Sequence, residues 1–384
     1  MRLPRYIFGL AALLAVPAFL FAQESAKQAG KAGQTAHGSS KASSETGEDV
    51  KARKPTKTEP KTAVRKVLAK AKPKAPPAKN LFGAIKVPAP LTARSIGFYA
   101  KGCLAGAEAM PINGPAWQAM RLSRNRNWGH PQLIALIKKL AIEAKAHDGW
   151  PGLLVGDISQ PRGGPMLTGH ASHQIGLDAD VWLTPMPDRT LTTKEREEIS
   201  ATSMLSDDSQ SVNPKVWTDA HVRLLKRAAS YEQVERVLVH PAIKKAVCEA
   251  AKDEKARDWL SKIRPYWGHY YHFHIRIACP KGSVGCEGQP SVDDDNDGCG
   301  AELTQWLKRV KPAPAPPVPP KTAVKPAPGK KHPLTLEQLP AACRAVLASG
   351  DTPPLVKEAL APPKTATPAP KQVVPAPKQA KTEK

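Results

Sequence analysis

Two stretches of this 384-residue chain hold side chains able to bind a metal ion and move a proton. In Tyr271-His272-Phe273-His274-Ile275-Arg276-Ile277-Ala278, polar and apolar residues alternate. On a strand, successive side chains point to opposite faces, so His272, His274 and Arg276 share one face and Phe273, Ile275 and Ile277 the other. About a hundred residues earlier, Gly169-His170-Ala171-Ser172-His173-Gln174-Ile175-Gly176-Leu177-Asp178-Ala179-Asp180-Val181-Trp182 supplies two histidines and two carboxylates in a glycine-punctuated run. A hydrolytic zinc ion takes three protein ligands from imidazole or carboxylate and keeps one position open for water. It lowers the pKa of that water towards about 7 and polarises the carbonyl under attack. One histidine in an apolar strand would be read as a packing residue, but a pair with His269 just ahead of it points to a site. Two imidazoles and one carboxylate also suit other divalent ions.

His173 followed seven positions on by Asp180, together with the distant His272-Phe273-His274, resembles the H-x6-D … H-x-H signature of the LAS metallopeptidases. This is the group of lysostaphin, the D-Ala-D-Ala peptidases and the hedgehog fold. More closely, GHASHQIGLDADVW, WGHYYHFHIR and the later DGCGAEL are similar to the penicillin-insensitive murein endopeptidases, over roughly residues 88–347. The resemblance implies that His173, Asp180 and His274 ligate zinc. His272 would be the base or transition-state stabiliser, with His269 as an auxiliary. Arg276 could hold a substrate carboxylate, with a structural ion pair as the favoured alternative. His170 matches a position near the metal where a second ion could be held. The family can offer that ion an aspartate and, three residues later, a histidine, whereas this chain has Asp208 and Ser211, which argues against a second zinc. The implied activity is serine-independent hydrolysis of D-alanyl to diaminopimelate cross-links in peptidoglycan, in the periplasm and insensitive to β-lactams. The implied disulfides are Cys103–Cys343, Cys248–Cys299 and Cys279–Cys286.

The elements that must position these residues can be read from periodicity. Leu133, Leu136, Ile137 and Leu140 recur at helical spacing over 130–146. GLLVGDIS and ASHQIGLDADVWL read as strands with turns, 222–251 as helix, short apolar segment and helix, and HYYHFHIRIAC as a strand. The expected fold is α+β, with helices packed on a small, mostly antiparallel sheet. All the tryptophans lie from Trp117 to Trp306, which places the folded domain at 81–306.

The flanks differ in kind. Met1-Arg2-Leu3-Pro4-Arg5, an apolar run and the polar turn at Gln23 read as a secretory signal peptide over 1–22. Segments 23–80, 307–332 and 351–384 are rich in Lys, Ala and Pro and bury too little apolar surface to offset ordering, so disorder is expected there. Of the net charge of +23, Arg2 and Arg5 carry +2, residues 23–80 carry +9 and 307–384 carry +10, leaving +2 over 81–306. Nucleic acid is therefore not the expected partner. Anionic envelope polymers are the alternative to plain solvated linkers for the tails.

Six cysteines in an exported chain, with no C-x-x-C pair, favour disulfides over a zinc cluster. Spacing alone cannot choose among the 15 connectivities, but Cys279 and Cys286 enclose the Pro/Gly-containing loop PKGSVG and make the favoured local pair, while the pairing implied by the resemblance would tie 333–350 back to the domain through Cys343. Asp293 to Gly298 resembles the opening of a calcium loop, but Thr304 stands where a bidentate glutamate is needed. The competing functions are a catalytically inactive wall-binding module and a structural envelope protein anchored by its tails.

Overall fold

Seven strands build the sheet on which the two histidine-bearing stretches meet. The computed structural model describes residues 75–292, 296–310 and 333–362. The expected signal peptide, most of the basic segments, residues 293–295 of the acidic run and everything beyond 362 lie outside the described residues.

Before the main sheet, β1 (Arg94–Phe98) and β2 (Lys101–Ala105) pair as an antiparallel hairpin, and β3 (Glu108–Ala109) pairs with β6 (Trp128–Gly129). The sheet proper comprises β4 (Asn113–Gly114), β5 (Trp117–Ala119), β7 (Leu153–Val155), β8 (Asp178–Trp182), β9 (Val234–Val239), β10 (Ile263–Pro265) and β11 (His272–Ile277). Their order is β10-β9-β11-β8-β7-β5-β4. The β5/β7 and β9/β10 pairs are parallel and the other four antiparallel, so the expected α+β character with a mostly antiparallel sheet holds.

Helix α1 (Ala78–Ala84) precedes the hairpin. Helix α2 (Pro131–His147) forms where the periodicity placed it, and its start has a local cause. Pro131 has no amide to lose at the first helical position, and His130 Nδ1 accepts the amide of Gln132 at 3.3 Å. Leu133, Ile134, Leu136, Ile137, Leu140, Ala141 and Ala144 bury one face. Helix α3 (Thr193–Glu198) is closed by a Thr192/Glu195 capping box. The expected helix, apolar segment and helix over 222–251 appear as α4 (Asp219–Ser230), β9 and α5 (Pro241–Ala250), with α4 lying against β9. Helices α6 (Trp259–Lys262) and α7 (Ala301–Val310) complete this part.

The strand expected over GLLVGDIS is shorter than the apolar run, because only Leu153–Val155 pairs. From Gly156 the chain leaves the sheet, and its carbonyls serve neighbouring loops. Asp157 O accepts the amide of Asp180 at 3.0 Å, and Ile158 O receives His173 Nδ1 at 2.6 Å.

The folded region reaches beyond the expected 81–306 core and 333–350 return segment at both ends. Helix α1 starts before residue 81, and α8 (Ala342–Ala348) is followed by α9 (Pro354–Leu360), which falls in the stretch expected to be disordered from 351. The reason is a second core in which Leu81, Phe82, Ile96, Val346, Leu347 and Val356 pack together. Local composition hid this, since Val356 is the single fully buried anchor of a helix otherwise rich in exposed residues.

All six cysteines are paired, as Cys103–Cys343, Cys248–Cys299 and Cys279–Cys286, which is the set the resemblance implied. Among the described residues no helix is long and apolar enough to cross a membrane. Cys103–Cys343 joins positions 240 residues apart and staples α8 to β2. Replacing both of these cysteines by serine should lower unfolding free energy by about 2–5 kcal/mol, read as a shifted denaturant midpoint. An unchanged midpoint would show that the second core holds without the bond.

Candidate metal centre

Register between two strands assembles the site. β11 runs antiparallel to β8 with His272 opposite Trp182, His274 opposite Asp180 and Arg276 opposite Asp178. Because both strands repeat every two residues, the imidazole of His274 and the carboxylates of Asp178 and Asp180 fall on one face of the sheet. Phe273, Ile275 and Ile277 enter the main core on the other. The site face is itself covered, and His272, His274 and Arg276 are all buried.

His173 arrives from the loop before β8. Its backbone is left-handed, at φ +67°, which is rare for a residue with a Cβ and persists only where neighbours enforce it. Its amide donates to Asp178 Oδ2 at 3.0 Å, and its Nδ1 donates to the carbonyl of Ile158 at 2.6 Å. The second bond selects the tautomer and leaves Nε2 as a bare lone pair. That nitrogen is buried, has no hydrogen-bond partner among the described residues and faces Asp180 Oδ1 at 3.3 Å. A lone pair against a carboxylate oxygen, away from water, is repulsive unless a proton or cation lies between them.

The same Oδ1 meets His274 Nδ1 at 3.1 Å, while His274 Nε2 lies 3.1 Å from Asp178 Oδ1 without hydrogen-bond alignment. His170 completes the cluster, its Nδ1 3.4 Å from Asp180 Oδ2 and its Nε2 3.0 Å from Asp157 Oδ2. Ligand atoms of His170, His173 and Asp180 all lie within 4.8 Å of one another, so His170 stands closer to the donor set than an outlying helper would. The residues present fit a divalent ion of the zinc kind: borderline imidazoles, one carboxylate and an orphaned buried nitrogen aimed at it.

Charge reinforces the arrangement. Burial alone would raise the carboxyl of Asp180, but His173 and His272 beside it hold it well below the ordinary aspartate range. Asp178 is likewise held low against burial by Arg276 and His274. Asp157 sits at about 2, because hydrogen bonds from His170 and Arg126 and the charge of Arg124 outweigh its burial. Burial pushes the imidazole of His272 below its usual range, and that of His269 down to about 3 with help from the neighbouring His274 and His272. Both rings are thus neutral, the form that can accept a proton. His272 Nε2 is 3.6 Å from Asp180 Oδ1, and the His269 ring packs 4.9 Å from that of His272. A cleft of about 290 Å³ opens above, lined among others by Asp157, His170, Asp180, Tyr271, His272 and Arg124.

Two expected site residues stand elsewhere. Arg276 is engaged in a buried ion pair, the alternative that its sequence context offered beside a substrate carboxylate. Its Nε and Nη2 bond Asp178 at 2.7 and 3.2 Å, its Nη1 bonds Gln289 at 2.8 Å, and its guanidinium lies 3.9 Å from the centre of the Tyr99 ring. Asp208 is exposed and spends its carboxylate within its own turn on Gln210 and Ser211, outside the donor cluster. Sequence reading missed Asp157 and the role of Asp178. Asp178 carried a signal, since it stands two residues before Asp180 and shares its face; Asp157 carried none beyond being charged at the end of an apolar strand.

A buried imidazole–carboxylate cluster lies at the floor of an open cleft on an α+β sheet, and the family to which the sequence belongs makes the class a peptidase. The chain belongs to the penicillin-insensitive murein endopeptidase family, whose description matches residues 95–348. It is similar to the penicillin-insensitive murein endopeptidase of Haemophilus influenzae, 44% identical over 220 residues covering 57% of this chain and 75% of that protein. The same-named proteins of Klebsiella pneumoniae and Escherichia coli are each 38% identical, over 67% and 68% of this chain and 86% and 89% of theirs.

Asp178 accepts the backbone amide of His173 and lies 3.1 Å from His274 Nε2. Asp178→Asn should weaken zinc binding by about 10- to 100-fold, measured by competition with a chelating dye. Unchanged affinity in a folded variant would remove Asp178 from the support of the site.

Proposed function

We propose that this protein is an exported, zinc-dependent peptidase that hydrolyses D-alanyl to diaminopimelate cross-links in peptidoglycan. The observation that carries the metal reading is the buried, partnerless Nε2 of His173 set against Asp180 Oδ1. Family membership supports the substrate class, and the periplasm follows as the place where that substrate is met. His173, Asp180 and His274 would hold the ion, and a second ion lacks its partners because Asp208 is turned to its own loop. An ion held there would supply Lewis acidity for activating water and polarising the scissile carbonyl.

The chain's own residues do the rest. Neutral His272, lining the cleft, takes the proton released by the attacking water and returns it to the leaving amine. His269 packs on His272 and holds its own ring through Nδ1, which donates to Trp267 O at 2.6 Å, so it acts as a positioning residue. Asp178 and Ile158 O set the ring orientations of His274 and His173. No serine nucleophile takes part, which accords with insensitivity to β-lactams. The basic segments are read as solvated linkers, with anionic envelope polymers as the alternative partner and nucleic acid not the expected one for an exported chain.

Full-length protein incubated with purified cross-linked muropeptide dimers should convert them to monomers, stop with chelator and resume on adding zinc. His274→Ala should be inactive and metal-poor. His272→Ala should keep its zinc yet lose about 100- to 10,000-fold in kcat, as removal of a general acid–base group does. Dimers that bind but stay intact despite bound zinc would move the assignment to a wall-binding module.

A further inference from the structure

The cleft wall opposite no proposed ligand carries an underused guanidinium. Arg124 ends a one-turn 3-10 helix, Leu122–Arg124, whose two flanking residues are both left-handed without being glycine: Arg121 at φ +56° and Asn125 at φ +51°. Such conformations cost about 1–3 kcal/mol each and survive only where the surroundings impose them. Here they are imposed. Arg121 donates from Nη1 and Nη2 to the carbonyls of Arg196 and Ile199 at 3.2 and 2.8 Å. Ser123 bonds Glu197 through both its amide and its hydroxyl at 2.8 Å. Asn125 donates to Lys86 O at 3.2 Å and accepts Trp128 Nε1 at 2.8 Å.

This pinned turn holds Arg124 against the cleft with its side chain 47% exposed. Its Nη1 bonds Asp157 Oδ2 at 3.1 Å, but that oxygen also receives Arg126 Nη1 at 2.9 Å and His170 Nε2 at 3.0 Å. One carboxylate thus faces two guanidinium charges. Arg126 is buried and further occupied by the Thr168 carbonyl and hydroxyl, whereas Nε and Nη2 of Arg124 take no partner among the described residues. The unbalanced positive charge lies on the exposed arginine, in the cleft that also contains Asp180 and His272.

We propose that Arg124 is a specificity residue that binds a free carboxylate of the substrate next to the scissile amide. The inference rests on the cross-link reading above. In a D-alanyl to diaminopimelate link, the carbon bearing the acylated amine also carries a free carboxylate, so the leaving side of the bond presents an anion. A guanidinium with two idle donors meets such a group bidentately and prefers it to a neutral amide of the same size. Asp157 holds the third donor and sets the angle of the fork.

The test uses zinc-loaded full-length protein and two synthetic cross-linked dimers that differ only in this carboxylate, free in one and a primary amide in the other. Wild type should favour the free acid by about 10- to 100-fold in kcat/KM, the range of a hydrogen bond to a charged group. Arg124→Gln should bring that ratio near unity while retaining its zinc, and Arg124→Lys should restore part of the preference through charge without the fork. A wild-type ratio near unity would overturn the role of Arg124 and leave the endopeptidase reading standing. An Arg124→Gln variant slowed equally on both dimers would mean that the residue only props Asp157. A wild type that cleaves neither dimer, with zinc bound, would overturn the cross-link reading and this inference with it.

Discussion

The buried carboxylate of Asp178 is the interaction on which the site depends. It takes a bidentate bond from Arg276, the amide of His173 and a contact from His274, and is itself fully buried. A carboxylate so far from water is tolerable only with its charge matched and its lone pairs filled, and here they are. What it gains in return is order. One side chain bonds the amide of the left-handed His173, lies against the ring of His274 and ties β8 to β11 beneath both. Buried ion pairs contribute little net stability but penalise any arrangement that breaks them, and this suits a site whose donor atoms must meet within a few ångströms.

From that anchor the geometry spreads through register. The β8/β11 pairing sets His274 across from Asp180 and Arg276 across from Asp178; a slip of one residue would turn the imidazole and guanidinium towards the core and Phe273 and Ile275 towards the cleft. The apolar half of β11 therefore guards the polar half. Phe273, Ile275 and Ile277 sit in a core shared with α2 and α4, so the free energy of burying them holds the histidines in place. On the far side of the cleft, the strained turn at 121–125 serves the same end by hydrogen bonding alone, carrying Arg124 on a backbone that its side chains and those of α3 keep from relaxing.

The segment after residue 333 shows how a chain rich in proline and lysine can still yield structure. Its helices contribute few apolar residues, but Val346, Leu347 and Val356 close a core that α1 and β1 open from the other end of the domain. Cys103–Cys343 makes that return contact covalent. Neither half buries enough alone, which explains why composition placed the boundary at 350 and the structure carries it to α9.

Periodicity by itself determined the elements that matter: α2 from its apolar spacing, the α4–β9–α5 run, and the alternation that puts His272 and His274 on one face of β11. Residue types at their spacings were enough to mark two histidine-bearing stretches as a candidate metal site, and the resemblance carried by GHASHQIGLDADVW and WGHYYHFHIR implied both the family and the ligand set His173, Asp180 and His274. What only the tertiary structure decided are the roles that depend on a partner distant in sequence. Arg276 reads as able to hold either a substrate carboxylate or an ion-pair partner until Asp178, 98 residues away, is seen bonded to its guanidinium. Asp157 and Arg124 look like ordinary charges until the fold brings them together with His170 at one carboxylate oxygen. Local pattern reports which way a side chain points. Whether its charge is matched or left over is settled by which segments the fold brings against it.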